Sequence, residues 1–347
     1  MTERRIYLDV GAGETRGVVT LDGRPERLLI VRDGDSAVQA LGARLVVRVR
    51  AVDRANALAF LDLGAAPDAV LNLTKEAGHI TEGLHLEVEI RTEARLDKGA
   101  SVRLIGPADG PVRLLAPAPS IEEQLISYAP EADLRTGPVA RSVADGAQDD
   151  ARSTVFPIPG GGTVAIESTR ALVAVDVDLG SRPGVEAKKA TRAANFAALG
   201  VAARVLRLKG LGGLVVIDLV GRGHDAPALL SAARQAFGPD NPGVALGVVS
   251  RFGALELTVP RRSRPLVDIL NDRDGRSSAL TEALSLVRAL EREAVADGGG
   301  RFEGLAAPEV AASATPALAV LTARLGARIG VRAEPGRARG DHAVVRL

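Results

Sequence analysis

A chain of 347 residues with 46% hydrophobic and 25% charged positions can bury a sizeable core, and its length predicts two or three folding units. It has no cysteine, which excludes disulfides, thiol catalysis and Cys-ligated zinc or iron–sulfur sites, and its 4 histidines argue against an all-His metal site. Metal chemistry, if present, must then run on carboxylate oxygens, the donor set of magnesium or manganese. A net charge of +1 supplies no global field for a polyanion, although arginine, which grips phosphate bidentately, far outnumbers lysine. Aromatics at 2% speak against a surface that binds single strands mainly by base stacking. The opening MTERRIYLD lacks a secretory pattern, and no apolar run approaches the ~18 residues of a membrane span, so the cytoplasm is the expected compartment.

Residues 1–36 read as short strands, IYLDVG and GVVTLDG, around the turn-rich GAGETRG. LVVRVRAV (45–52), ALAFLDLG (57–64), LHLEVEIR (84–91) and ASVRLIG (100–106) follow, spaced by Gly, Asp and Pro turns, the pattern of a small antiparallel barrel. Residues 107–152 show little sustained periodicity and read as a loop-rich connector with one short helix near Ile121 to Ser127. From 153 the pattern becomes strand, helix, strand. VAIEST and ALVAVDVDL are strand-like, Val185 to Lys209 is helical, and GLVVIDLV reads as a continuous buried strand.

The helix carries an apolar stripe of Ala187, Ala190, Ala194, Ala197, Val201, Val205 and Leu208, with Lys188, Arg192 and Asn195 as a polar line on another face. It ends on Lys209 and a Gly210 cap. A strand, a crossover helix and a second strand predict parallel pairing with a right-handed connection. A second helix near Ala226 to Phe237, strands in ALGVVS and ALELTV, and a linker over 260–277 come next. The tail reads as a separate α/β module: a helix over 279–296, the GGG turn at 298–300, a helix from about Pro316 to Leu325, and strands in ARIGVR and HAVVRL.

The two parallel strands end in acids, Asp176 and Asp178 on the first and Asp218 on the second. Residues i and i+2 share a face of a strand, so Asp176 and Asp178 point the same way. Ligands of open α/β sheets sit just outside the carboxyl ends of the strands. Three converging carboxylates stay ionised together only around a cation. The other reading is that strand-end aspartates satisfy loop N–H groups; spacing leaves both open. A carboxylate-held cation suits phosphodiester hydrolysis, and Lys188, Arg192, Arg204, Arg207 and Arg251 are candidates to hold the phosphodiester.

The stretches IPGGGTVAIESTRALVAVDVD (158–178), NFAALGVAARVLRLKGLGGLVVIDL (195–219) and VVSRFGALELT (248–258) resemble the bacterial ribonuclease E/G family. The resemblance implies an α/β multidomain protein and a magnesium-dependent endoribonuclease acting on single-stranded RNA, with manganese as the substitute metal. The implied units are N-terminal strands (1–36, a remnant of an RNase H-like unit), an S1-like, OB-type RNA-binding barrel (37–108), a connector (109–152), a DNase I-like catalytic domain (153–262) and a small α/β C-terminal domain (277–347). The family's magnesium-binding pair matches Asp176 and Asp218. Asp178 stands where the family usually has an Asn that orients the metal or the phosphate, and is the third catalytic candidate. Phe60 and Lys98 match RNA contacts of the S1 barrel, whose second aromatic is Val70 here. With Lys188, Arg192 and Arg251 they make the expected RNA-binding set.

Two departures shape the expectation. The interval 107–152 is too short for the family's 5′-sensor, so recognition of a 5′-monophosphate should be lost. The Cys-containing zinc link is absent, so no zinc is expected and a homodimer would need other contacts. The alternative function is a catalytically inactive RNA-binding or accessory protein of RNA processing.

Overall fold

The computed structural model describes residues 3–74, 79–95, 98–181, 186–240 and 242–347. The chain begins with an antiparallel meander, β1 (Arg4–Val10), β2 (Glu14–Leu21) and β3 (Arg24–Arg32). Asp22 and Gly23 both take positive φ between β2 and β3, the two-residue hairpin turn that an Asp-Gly pair favours.

The next strands close on themselves. β4 (Arg44–Asp53) pairs with β5 (Leu58–Asp62), β5 with β6 (Ala69–Asn72), β6 with β8 (Ser101–Pro107), β8 with β7 (His85–Thr92), and β7 with β4 again. The result is a five-stranded barrel filled by Leu45, Val47, Val49, Leu61, Val88 and Ile90. Closure leaves these strands without free edges. β9 (Arg113–Ala116) adds to the first residues of β4.

The interval after the barrel is not a loop-rich connector. It holds α1 (Ile121–Tyr128), β10 (Leu134–Arg135) and α2 (Pro138–Arg152). Ser120 and Glu123 form a reciprocal capping box at the start of α1. α2 was hidden by its composition: VARSVADGAQDDAR looks like loop, yet Ala140, Ala144, Ala147 and Ala151 recur at helical steps and are buried. β10 lies parallel beside β1, and the two helices cover opposite faces of the meander. Ile121 and Leu125 pack on Ile6, Leu8 and Val19, while the α2 alanines pack on Tyr7, Val18, Leu28 and Ile30.

A mixed sheet follows, in the order β11 (Val155–Pro157), β12 (Thr163–Ser168), β13 (Val173–Asp178), β14 (Gly213–Asp218), β16 (Ala254–Val259), β15 (Ala245–Val249). β13 and β14 pair in parallel, as the crossover pattern predicts, and the other pairings are antiparallel. The crossover is α3 (Ala187–Lys209), ending on a left-handed Gly210; α4 (Ala226–Phe237) joins β14 to β15. Val164, Ile166, Val175, Val177, Ile217 and Leu255 bury one sheet face against these helices.

Two expectations fail here. GLVVIDLV is not buried on both sides: Val215 and Ile217 are buried, but Leu214 is 41% exposed and Asp218 is exposed. α3 is not a simple amphipath either. Its second half is buried nearly all round because β3 and α2 lie on its far side, and Asn195 is buried rather than part of a polar line. Arg204 and Arg207, candidates for phosphate contacts, turn inward. Arg204 donates to the Pro25 carbonyl, and Arg207 pairs with Asp240 and Glu26. They join α3 to β3 and are structural.

The tail opens with a short α5 (Leu266–Leu270) in the linker, then α6 (Ala279–Ala296), β17 (Phe302–Ala306), α7 (Pro308–Leu325), β18 (Ile329–Ala333) and β19 (Ala343–Arg346). The central strand of its sheet is β17, whose FEGLA offers no sequence alternation. α7 starts two turns before Pro316, which lies inside the helix although proline removes one helical hydrogen bond there. Thus the described residues form a mixed α/β structure with four sheets, and no described helix is long and apolar enough to cross a membrane.

Candidate active site

β13 and β14 reach their carboxyl ends side by side, with Asp176 and Asp218 in register. Neighbouring strands lie about 4.8 Å apart, so two carboxylates stand next to each other on one sheet face. That face is the one the helices leave open, and both residues are exposed. Among the described residues no hydrogen bond or ion pair engages either carboxylate. A groove of about 380 Å³ runs beside them, floored by Ala165, Leu172, Ala174 and Val216 and bordered by Glu167.

Asp178 shares this face, but its Oδ1 accepts the Gly180 N–H at 2.8 Å. It therefore closes the loop after β13, as the loop-acceptor reading holds, and the expected three-carboxylate convergence becomes a pair. Among the described residues no group of three or more His, Asp or Glu side chains could hold an ion. The loop rests on the glycine-rich turn before β12. Gly162 takes φ +87, and a Cβ there would lie 2.3 Å from the Asp178 carbonyl oxygen. Only glycine lets the turn back so closely against the strand end.

Residues after Asp218 are held from two sides. Asn195 of α3 donates Nδ2–H to the Val220 carbonyl and accepts the Val220 N–H, each at 3.0 Å. The Leu219 N–H donates to the Gly253 carbonyl at 3.1 Å. Sequence reasoning missed this use of Asn195; the signal available was an amide-bearing side chain in an alanine-rich helix.

The expected cations separate into groups. Lys188 is exposed in the first turn of α3. Arg192 is exposed but pairs with Asp225 at 2.8 Å and lies over the Phe196 ring. The Ala228 amide N–H, then Arg192, hold the Asp225 carboxyl below its ordinary range. Solvent screens an exposed pair of this kind, so Arg192 is easily redirected. Arg251 is exposed on the turn between β15 and β16.

On the barrel, Phe60 is half-buried opposite Val70, and Val70 is in register with Ser101, which follows the exposed Lys98 by three residues. Phe60, Val70 and Ser101 therefore sit side by side on adjoining strands, and the exposed Arg48 and the half-buried His85, which sequence reasoning did not single out, face each other on neighbouring strands. Phe60 and Lys98 are not brought to the aspartate pair by any contact between described side chains.

Residues 137–262, from the start of α2 to just beyond β16, match the profile of the Ribonuclease E/G family. Ribonuclease E of Escherichia coli (strain K12) is 31% identical over 148 residues, 40% of this chain and 14% of that protein. Ribonuclease E of Haemophilus influenzae is 32% identical over 152 residues, 40% of this chain and 16% of the relative. The chloroplastic Ribonuclease E/G-like protein of Arabidopsis thaliana is 33% identical over 119 residues, 33% of this chain and 12% of the relative. The matched stretch is thus less than a fifth of each of these relatives. It contains both strands that carry the aspartate pair, and over this segment the chain is similar to the ribonuclease E/G family.

Proposed function

We propose that this chain is a magnesium-dependent endoribonuclease that hydrolyses phosphodiester bonds of single-stranded RNA in RNA processing or decay. The observation that carries the reading is the in-register, partnerless pair Asp176 and Asp218 on an open sheet face. Two carboxylates with free coordination room suit magnesium, which keeps several waters and takes one or two carboxylates together with substrate oxygens. Manganese shares that oxygen preference, and zinc, which favours His and Cys, finds no such set among the described residues.

Asp176 and Asp218 would hold the ion, which when bound lowers the pKa of a water and offsets charge on the phosphoryl oxygens. Asp178 contributes by fixing the loop after β13. That hydrogen bond needs one side-chain oxygen, which Asn and Asp both supply, so the departure from the family's Asn preserves the positioning role. Asn195 and the Gly253 carbonyl hold the loop after Asp218. Lys188 and Arg251 stand exposed to take phosphates, and Arg192 can join them by leaving Asp225.

In this reading the open sheet with α3 and α4 is the DNase I-like catalytic unit. The closed barrel is an S1-like, OB-type module that docks RNA through Phe60, Lys98 and Arg48. Residues 107–152 are used up in β9, α1, β10 and α2, which supports the loss of a 5′-sensor. The cytoplasm is the compartment that fits such a substrate, and a homodimer, if formed, is not tethered by zinc.

The test incubates the chain with a fluorescent AU-rich single-stranded RNA and magnesium, beside Asp176→Ala and Asp218→Ala. Cleavage by the parent, lost in both variants, is expected. RNA binding without cleavage by the parent would replace this reading with that of a non-catalytic RNA-binding protein. Equal rates on 5′-monophosphate and 5′-hydroxyl RNA are expected; a strong monophosphate preference would refute the missing sensor.

A further inference from the structure

The turn Ser250–Gly253 joins β15 to β16 at the end of the sheet where Asp218 emerges. Ala254 is the register partner of Asp218, and Gly253 accepts the Leu219 N–H, so the turn is bonded to the residue that follows the aspartate. It is also stiff. The Ser250 hydroxyl accepts the N–H groups of Phe252 and Ala254, the Gly253 N–H donates to the Ser250 carbonyl, and Gly253 takes φ +92 to reverse the chain.

At the tip of this pinned turn, Phe252 is 80% exposed, the most exposed large apolar side chain among the described residues. The Arg251 guanidinium lies over its ring, 4.7 Å from the centroid. A phenylalanine held in water beside a cation contributes nothing to a core. A pinned ring with an arginine on one face has the form of a stacking platform, because a nucleobase of any sequence can lie on an aromatic face and arginine adds both stacking and phosphate attraction.

We propose that Phe252 stacks an unpaired nucleobase next to the phosphodiester held over Asp176 and Asp218, with Arg251 bracing the ring and meeting an adjacent phosphate. This rests on the RNA-cleaving reading above and adds the element that selects single strands, since a base in a duplex has no free face to offer. Aromatics being scarce in this chain, one ring placed at the site does what a multi-aromatic surface does elsewhere. On the barrel, Val70 offers no ring beside Phe60, so stacking at the catalytic sheet carries more of the selection.

The test measures binding rather than cleavage, by anisotropy of a short fluorescein-labelled single-stranded RNA with divalent cations removed. Phe252→Ala should weaken binding roughly 5- to 100-fold, the range for one lost base–aromatic stack, and Phe252→Trp should restore it. Its melting temperature should match the parent, because the ring is exposed. A probe set with single abasic positions should include one whose affinity is the same for parent and Phe252→Ala, which marks the stacked base. Arg251→Ala should reduce the salt dependence of binding.

Unchanged binding in Phe252→Ala overturns the proposal. So does intact RNA binding with loss of self-association, which would make the ring a contact between copies of the chain. A parent that binds RNA through Phe252 but cleaves none leaves the platform standing and removes the hydrolytic reading. A parent that binds no RNA removes both.

Discussion

Two groups of carboxylates in this chain have opposite surroundings. Asp9, Glu14, Asp145 and Glu291 lie between the N-terminal meander, α2 and α6, and arginine meets each of them. Arg16, fully buried, bonds Asp9 at 2.6 Å and Asp145 at 2.8 Å; Arg288 meets Glu14 and Asp145; Arg141 reaches Asp9 and Glu291. Asp176 and Asp218 have no such partner and face solvent. The first group has its charge neutralised inside the protein and can only hold elements together. The second keeps its charge available, and adjacent like charges gain most from an added cation. The presence of acids on a sheet does not single out a candidate site; their lack of protein partners is what sets this pair apart.

The largest expected effect tests the first group. Arg16→Met removes the fully buried partner of Asp9 and Asp145, leaving Asp9 only Arg141, and should destabilise the fold by about 3 kcal/mol in denaturant unfolding. A loss below about 1 kcal/mol would show that water already serves these acids. The converse holds for the open pair. Asp218→Asn should lower RNA cleavage by at least ~100-fold while leaving the unfolding midpoint equal or slightly raised, since it relieves repulsion. A large stability loss there would erase the contrast between the two groups.

Asn195→Ala lies between them. It removes both side-chain bonds to Val220 and should cost about 1–3 kcal/mol of stability. It should also lower the apparent affinity for magnesium, read as a higher metal concentration for half-maximal cleavage, whereas a purely structural residue would leave that midpoint in place.

The smallest effect is in pH. Burial, ahead of the favourable Glu282 beside it, lowers the His342 pKa below the ordinary imidazole value. A group depressed on folding stabilises the fold above its unfolded pKa of about 6.5, and that share disappears as pH falls through the folded value. Unfolding midpoints should decline as pH drops below about 6.5, and His342→Gln should flatten the decline in that window.

Much of this was legible in the sequence. The crossover helix ends at Lys209 and Gly210 as its cap chemistry dictates, the parallel pairing of β13 and β14 follows from the strand–helix–strand order, and the Asp-Gly hairpin turn appears where its dipeptide stands. These depend on neighbours within a few residues. α2 and β17 escaped because their signals are weak locally: alanines among polar residues in one, a five-residue segment with glycine in the other. The outer faces were misjudged for a related reason. Leu214 and Val216 are as apolar as Val215 and Ile217, and nothing in an apolar run says which side another layer will cover.

The sequence by itself determined most of the element types outside α2 and β17, the absence of thiol and imidazole-rich metal chemistry, and the candidate acids, because composition, periodicity and capping act over short distances along the chain. Tertiary structure alone decided which candidates are available. It turned Arg204 and Arg207 inward to β3 and its flank, gave Asp178 to the Gly180 amide, and left Asp176 and Asp218 in register and unpaired. It also put Phe252 in solvent on the turn bonded to the residue after Asp218. A side chain's partners come from residues distant in sequence, so its electrostatic state is set by packing.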